Sequence, residues 1–233
     1  MLDHHVATRE EWLDARKALL AEEKAFTKAR DALSAKRRAL PWVRIEKDYR
    51  FDTQEGVKTL GELFGPRRQL IVYHFMFAPE WEKPCKSCSF WMDSVSGLIS
   101  HLEQRDTRFV AISRAPLAKL MARAKQMGWT FPWASSGESD FNYDFGVSFK
   151  PQDLQKGASY NYERLDWKAS DLPGLSTFVK GDDGAVYHAY SCFSRGIDLL
   201  NDAYNYLDVS PLGRQEAAKN PMSWVRLHDE YAD

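Results

Sequence analysis

The stretch QLIVYHFMFAPEWEKPCKSCSFW, Gln69 to Trp91, sets an unbroken apolar run directly before two cysteines and a helix-like segment. Gln69 to Phe77 reads as a strand buried on both faces, as in the middle of a sheet with helices on either side. Ser89 to Gln104 then reads as a helix and Thr107 to Ser113, TRFVAIS, as a second buried strand. Strand, helix and strand in this order make a βαβ unit with parallel strands.

Outward from this unit the signals stay local. Pro116 opens a helix over Leu117 to Met127, closed by Gly128. Phe141, Tyr143, Phe145, Val147 and Phe149 fall at every second position, which predicts a half-buried strand. Leu175 to Val179 and Ala185 to Ser191 flank Gly181-Asp182-Asp183-Gly184, the turn chemistry of a β-hairpin, and Arg195 to Tyr206 reads as a last core helix. Upstream, Val43 to Phe51 is a lead-in and Leu60 to Phe64 a short helical turn. Thr8 to Leu40 reads as one long helix, with Thr8 and Glu11 as a capping box, Lys36 to Arg38 at its basic end and Pro41 as the stop. Trp12, Leu19, Phe26, Leu33 and Leu40 recur every seven residues beside Ala18, Ala25, Ala32 and Ala39. Such a helix either lies on its own domain or clasps a second subunit, which makes a homodimer through it an expectation. The organisation expected is an N-terminal helical arm over 1–41, a core domain over 42–206, and a tail over 207–233 packed on that domain.

Composition narrows the function classes. The chain has 233 residues, 44% of them hydrophobic, enough for a packed core. Its 32 basic and 33 acidic side chains leave a net charge of -1, which offers no general attraction to nucleic acid or to anionic lipid. No apolar run approaches the about 20 residues of a membrane span. Met1 to Glu11 lacks the basic start and apolar stretch of a secretory signal, so a cytoplasmic protein without membrane or nucleic-acid partners is expected. Three cysteines are too few for a disulfide framework, and in a reducing compartment a close pair points to redox chemistry or metal binding.

The pair is Cys85-Lys86-Ser87-Cys88, placed between a strand and a helix. A thiol at a helix N-terminus faces unpaired amides and the positive end of the dipole, both of which favour thiolate. Cys85 is the expected nucleophile, with Lys86 adding positive charge. Cys88, one turn inward, is the expected resolving thiol for a disulfide substrate on a protein or small thiol, with no cofactor. Trp81 and Trp91 flank the motif as core residues or as an apolar docking surface. Three bland or competing readings stand beside this one, one of them a non-catalytic scaffold that dimerises through the N-terminal helix. Both cysteines can be small buried hydrophobes, and the pair can hold copper or zinc together with His188 or Cys192, which lie four apart on a strand, while His74 and Cys192 taken singly read as core residues.

The element order, with the cysteine pair after the first core strand and a later hairpin and helix, resembles the thioredoxin fold, a three-layer α/β/α sandwich, here with a long N-terminal helical arm. More closely, LPWV at Leu40 to Val43, LIVYHFMF at Leu70 to Phe77, the residues around Cys85, Cys88, Ser89, Phe90 and Trp91, FNYDF at Phe141 to Phe145 and PMSWVRLHDEY near the end resemble a mainly bacterial thioredoxin-like family, domain of unknown function 899, described as predicted dithiol-disulfide oxidoreductases. The resemblance implies that fold and a thiol-disulfide role for Cys85 and Cys88, and it implies no substrate. Thioredoxins carry Gly and Pro where this chain has Lys86 and Ser87, so their redox potential does not transfer. They also place a cis proline opposite the pair. Pro173 lies slightly before the corresponding position and Ser176 closer to it. Peroxiredoxin-like relatives carry Thr or Ser three residues before the reactive cysteine, where this chain has Glu82, which weakens a peroxidase reading.

Overall fold

The computed structural model describes residues 4–137, 139–165 and 169–231. The chain divides into two compact units, Met1–Pro41 and Trp42–Asp233. The first is the helix α1 (Arg9–Arg38), opened by the capping box read from the sequence. The Thr8 amide donates to Glu11 Oε2 at 2.8 Å and the Glu11 amide to Thr8 Oγ1 at 3.3 Å. Basic Lys36, Arg37 and Arg38 occupy its last turn.

The second unit runs β1 (Val43–Arg44), β2 (Arg50–Thr53), β3 (Gly56–Thr59), α2 (Leu60–Leu63), β4 (Gln69–His74), α3 (Lys86–Met92), α4 (Ile99–Glu103), β5 (Thr107–Ser113), α5 (Leu117–Gln126) and β6 (Trp133–Ser135). It continues with α6 (Phe141–Asp144), α7 (Pro151–Lys156), β7 (Ser159–Tyr160), β8 (Glu163–Arg164), β9 (Gly174–Lys180), β10 (Val186–Phe193) and α8 (Asp202–Val209). Eight of the strands form one sheet in the order β1-β10-β9-β4-β5-β6-β2-β3, and β7 pairs with β8. At its centre β4 runs parallel to β5 and antiparallel to β9, which is antiparallel to β10. This βαβ unit followed by a ββ hairpin, with the cysteine pair at the first crossover helix, is the thioredoxin-like α/β fold.

Period-two alternation divides the core between the two faces of the sheet. Tyr73, Phe75, Phe109 and Ala111 face one side, with Cys88, Trp91 and Met92 of α3 and Leu120 of α5. Leu70, Val72, Val110, Ile112 and Phe178 face the other, covered by Leu60 and Leu63 of α2, Phe51 of β2 and Phe141 of α6. The helices of this second layer are single turns, so it is much thinner than the first.

Several segments depart from their local signals. Ser89 to Gln104 is not one helix: α3 ends at Met92, a 3₁₀ turn spans Val95–Gly97 and α4 follows. The serines and Gly97 in this stretch give a continuous helix little support, while Trp91, Met92 and Val95 anchor the broken path on the core. Phe141 to Phe149 is not a strand. Phe141 and Phe145 are an i,i+4 pair in the turn of α6, with ring centroids 4.6 Å apart, Gly146 turns the chain at φ +63°, and Val147 and Phe149 enter a separate small cluster. Arg195 to Tyr206 is split into a 3₁₀ segment, Ser194–Leu200, and α8, because the buried Asn201 side chain accepts from the Tyr204 amide at 2.8 Å and starts a new helix. The lead-in contains a hairpin, β2 with β3, turned by Gly56 at φ +98°.

Candidate active site

Cys85 is the N-cap residue of α3, with extended backbone, and its side chain makes no capping bond. Its amide donates to the Met76 carbonyl at 3.0 Å, which ties the end of the core strand to the start of the helix. Ser89 closes the first turn by donating both its amide and its hydroxyl to the Cys85 carbonyl, each at 3.0 Å. Cys85 is partly exposed and Cys88, one turn on, is buried. All three cysteines are thiols in this structure.

The two sulfurs are chemically unequal. The Cys88 thiol donates to the Cys85 sulfur and is the largest influence holding Cys85 below the ordinary thiol range; the Cys88 and Ser87 amides and the Ser87 hydroxyl add to it against the opposing cost of burial. Burial, and then the neighbouring Cys85 charge, push Cys88 well above that range. An exposed low-pKa thiol paired with an interior high-pKa thiol is the asymmetry that attack followed by resolution needs. Lys86 follows Cys85 as the first residue of α3. Its Nζ donates to the Ser223 carbonyl at 3.4 Å and so reaches toward the C-terminal segment.

The pair opens on a cavity of about 280 Å3 whose lining is mostly apolar. Met76, Trp91, Leu172, Pro173, Ile197 and Met222 form its walls, and Arg195 and Asp198, ion-paired at 2.9 Å, also line it. Trp91 is a wall and a core residue at once, its indole N–H donating to the Ile197 carbonyl at 3.0 Å. Trp81 packs on the same cluster and does not line the cavity. Pro173 lines the same cavity as the cysteines, and no peptide bond among the described residues is cis. Tyr160, buried in the wall, donates to the Pro173 carbonyl at 2.6 Å and accepts from the Ser194 amide at 2.9 Å, pinning two wall segments together. Tyr73 projects from β4 beside Cys88, its hydroxyl without a nitrogen or oxygen partner among the described residues. Strand alternation from the apolar run could have pointed to Tyr73. Tyr160, Leu172 and Met222 carry no local signal.

Ser176 is on the wrong face to support the cysteines. With Phe178 it points to the opposite side of the sheet, where its hydroxyl bonds His74 Nε2 and Ser191 Oγ, each at 2.8 Å. His188 joins the same group through Ser191, at 2.8 Å, with its ring against Phe145 and Phe178. The expected common face of His188 and Cys192 is lost because the register of β10 shifts between His188 and Tyr190. Beyond that bulge Cys192 and Tyr190 join the cysteine-side core, and His188 stays on the far side. The proposed set Cys85, Cys88, His188 and Cys192 is therefore not brought together. Among the described residues no group of three or more His, Cys, Asp and Glu side chains could hold a metal. Among the described residues no helix is long and apolar enough to cross a membrane.

No curated protein matches the chain. Among solved structures it is similar to peroxidoxin BcpB of Mycobacterium tuberculosis, at 16% identity and TM-score 0.45, over 69% of this chain and 93% of that one. A peroxiredoxin Q of Xanthomonas campestris is similar at 12% identity and TM-score 0.46, over 72% and 98% of the two chains. One from Xylella fastidiosa matches at 14% identity and TM-score 0.45, over 71% and 95%. The model of the family described as bacterial protein of unknown function (DUF899) matches residues 1–231, and the chain belongs to that family.

Proposed function

We propose that the chain is a dithiol-disulfide oxidoreductase. The observation that carries this reading is the unequal pair at the start of α3, a partly exposed Cys85 whose thiolate is stabilised by the buried Cys88 thiol and by helix-start amides. The Cys85 thiolate attacks one sulfur of a substrate disulfide, forming a mixed disulfide and expelling the other sulfur as a thiolate, which takes up a proton. Cys88 then loses its proton and attacks the Cys85 sulfur. The second substrate thiolate leaves, and a Cys85–Cys88 disulfide remains, two electrons having passed to the substrate. An external dithiol or small thiol restores the reduced pair, and the same steps run backwards oxidise a substrate dithiol. The apolar cavity beside Cys85 favours substrates that carry an apolar group next to the reacting sulfur.

Titration in glutathione buffers of graded potential, with thiol trapping and mass spectrometry, tests the assignment. The expected result is a reversible two-electron transition confined to Cys85 and Cys88, with Cys192 unchanged. Cys85→Ser should abolish reduction of a model disulfide, and Cys88→Ser should accumulate the mixed disulfide on Cys85. A pair that stays unreactive at every potential, or a Cys85→Ser variant of unaltered activity, rules the reading out.

A further inference from the structure

α1 buries none of its 30 residues. Trp12, Leu19, Phe26 and Leu33, spaced by seven, are 47, 50, 69 and 49% exposed. Within the Met1–Pro41 unit the described residues leave this stripe about half open, with the Arg9 guanidinium over the Trp12 ring at 4.3 Å, and a helix about 45 Å long gains much of its stability when such a stripe is covered.

Symmetry and charge in the sequence indicate what covers it. The large apolar row is centred on Phe26, with Leu19 and Leu33 seven residues to either side, and Trp12 and Leu40 fourteen. The half before Phe26 carries Glu10, Glu11, Asp14, Glu22 and Glu23 against Arg9, Arg16, Lys17 and Lys24, one more acid than base, with Arg16 and Lys17 ion-paired to Glu23 and Asp14. The half after it is strongly basic, with Lys28, Arg30, Lys36, Arg37 and Arg38 against Asp31 alone. Parallel pairing of two such helices would stack basic half on basic half and align the macrodipoles. Antiparallel pairing keeps the two basic halves apart, sets each against the nearly balanced half of the other helix and opposes the dipoles, so charge favours that orientation.

We propose that α1 pairs antiparallel with α1 of a second copy of this chain, with the two-fold axis crossing at Phe26. Leu19 then faces the partner's Leu33, Glu22 the partner's Arg30 and Asp14 the partner's Arg38. Two like-charge pairs oppose these: Arg16, held by its own Glu23 at 2.8 Å, faces the partner's Lys36, and Lys24 faces the partner's Lys28. The interface is isologous, so each favourable contact occurs twice.

Sedimentation equilibrium of the full chain tests the proposal, and every variant keeps the cysteine site intact. The wild type should run at twice the chain mass. Phe26→Asp should run as a monomer, with any loss of helix content by circular dichroism no larger than α1 itself. Glu22→Lys should weaken association about tenfold at low salt, because one substitution turns two symmetric attractions into repulsions. Adding Arg30→Glu to Glu22→Lys should restore the affinity. The quantity rescued is association between copies, which an attraction within one helix would not restore, so the rescue reports contact between copies. A monomeric wild type, a dimer that survives Phe26→Asp, or a double variant as weak as Glu22→Lys alone overturns the proposal.

Discussion

His74 is buried among aromatic rings, and only its Nε2 has a partner among the described residues. Burial is the main influence that lowers it to about 3, with the facing His188, itself depressed by burial, adding to the effect. In the unfolded chain the same imidazole titrates near 6.5. Between these values the unfolded state binds a proton that the folded state refuses, so the stability associated with neutral His74 is complete above about pH 6.5 and is lost as pH falls toward 3. Urea unfolding at pH 7, 5.5 and 4.5 should show a loss approaching about 1.4 kcal/mol per pH unit inside that window. His74→Asn should flatten most of it, and identical slopes for the two proteins would contradict the account. A histidine on an apolar strand reads locally as a core residue, and the sequence supports that much. Its link through Ser176 and Ser191 to His188 joins β4, β9 and β10, and no local pattern announces it.

Among the elements, the segment leading into β9 controls one wall of the cavity. Asp171 is buried and takes both arms of Arg114, at 2.8 and 2.6 Å, with hydroxyls from Ser148 and Ser170 at 2.7 and 2.8 Å. It fixes the path of Leu172 and Pro173, which line the cavity. Asp171→Asn leaves the largely buried Arg114 without its counter-charge, at a cost of about 3 kcal/mol. A lowered urea midpoint is expected, together with slower disulfide exchange even where the variant is fully folded. A wild-type midpoint would remove this ion pair from the account of the wall. The elements with strong local signals, β4, β5, α5 and the β9–β10 hairpin, formed close to where the sequence puts them, because each has continuous apolar patterning bounded by turn or cap residues. The stretch from Phe141 failed because phenylalanines at i and i+4 satisfy a single helical turn as well as they satisfy alternation. The neighbouring rings of Tyr49, Phe51 and Phe178 decided between the two.

Across the whole molecule the C-terminal segment contributes to the core and the cavity: Val225 and Leu227 are fully buried, Leu227 within the cysteine-side core, and Met222 lines the cavity. Glu216 organises it by accepting from the Tyr204 hydroxyl, the Met222 amide and the Trp224 indole at 2.7, 2.9 and 2.8 Å. Leu227→Ala should therefore cost about 3 kcal/mol, as a core cavity does, and calorimetry showing an unchanged melting temperature would mean that the segment is dispensable. By itself the sequence determined the central succession of β4, α3, β5, α5, β9 and β10, the two-faced central sheet, the capped helix α1 and the position of Cys85 and Cys88 at a helix start. All of these follow from contacts within a few residues, where periodicity, capping and turn chemistry act directly. Only the tertiary structure decided that a bulge separates His188 from Cys192, that Ser176 faces away from the cysteines, and that residues from Tyr73 to Met222 enclose one cavity. Those outcomes depend on which distant segments pack together, and packing energy between distant segments leaves no local trace in the chain.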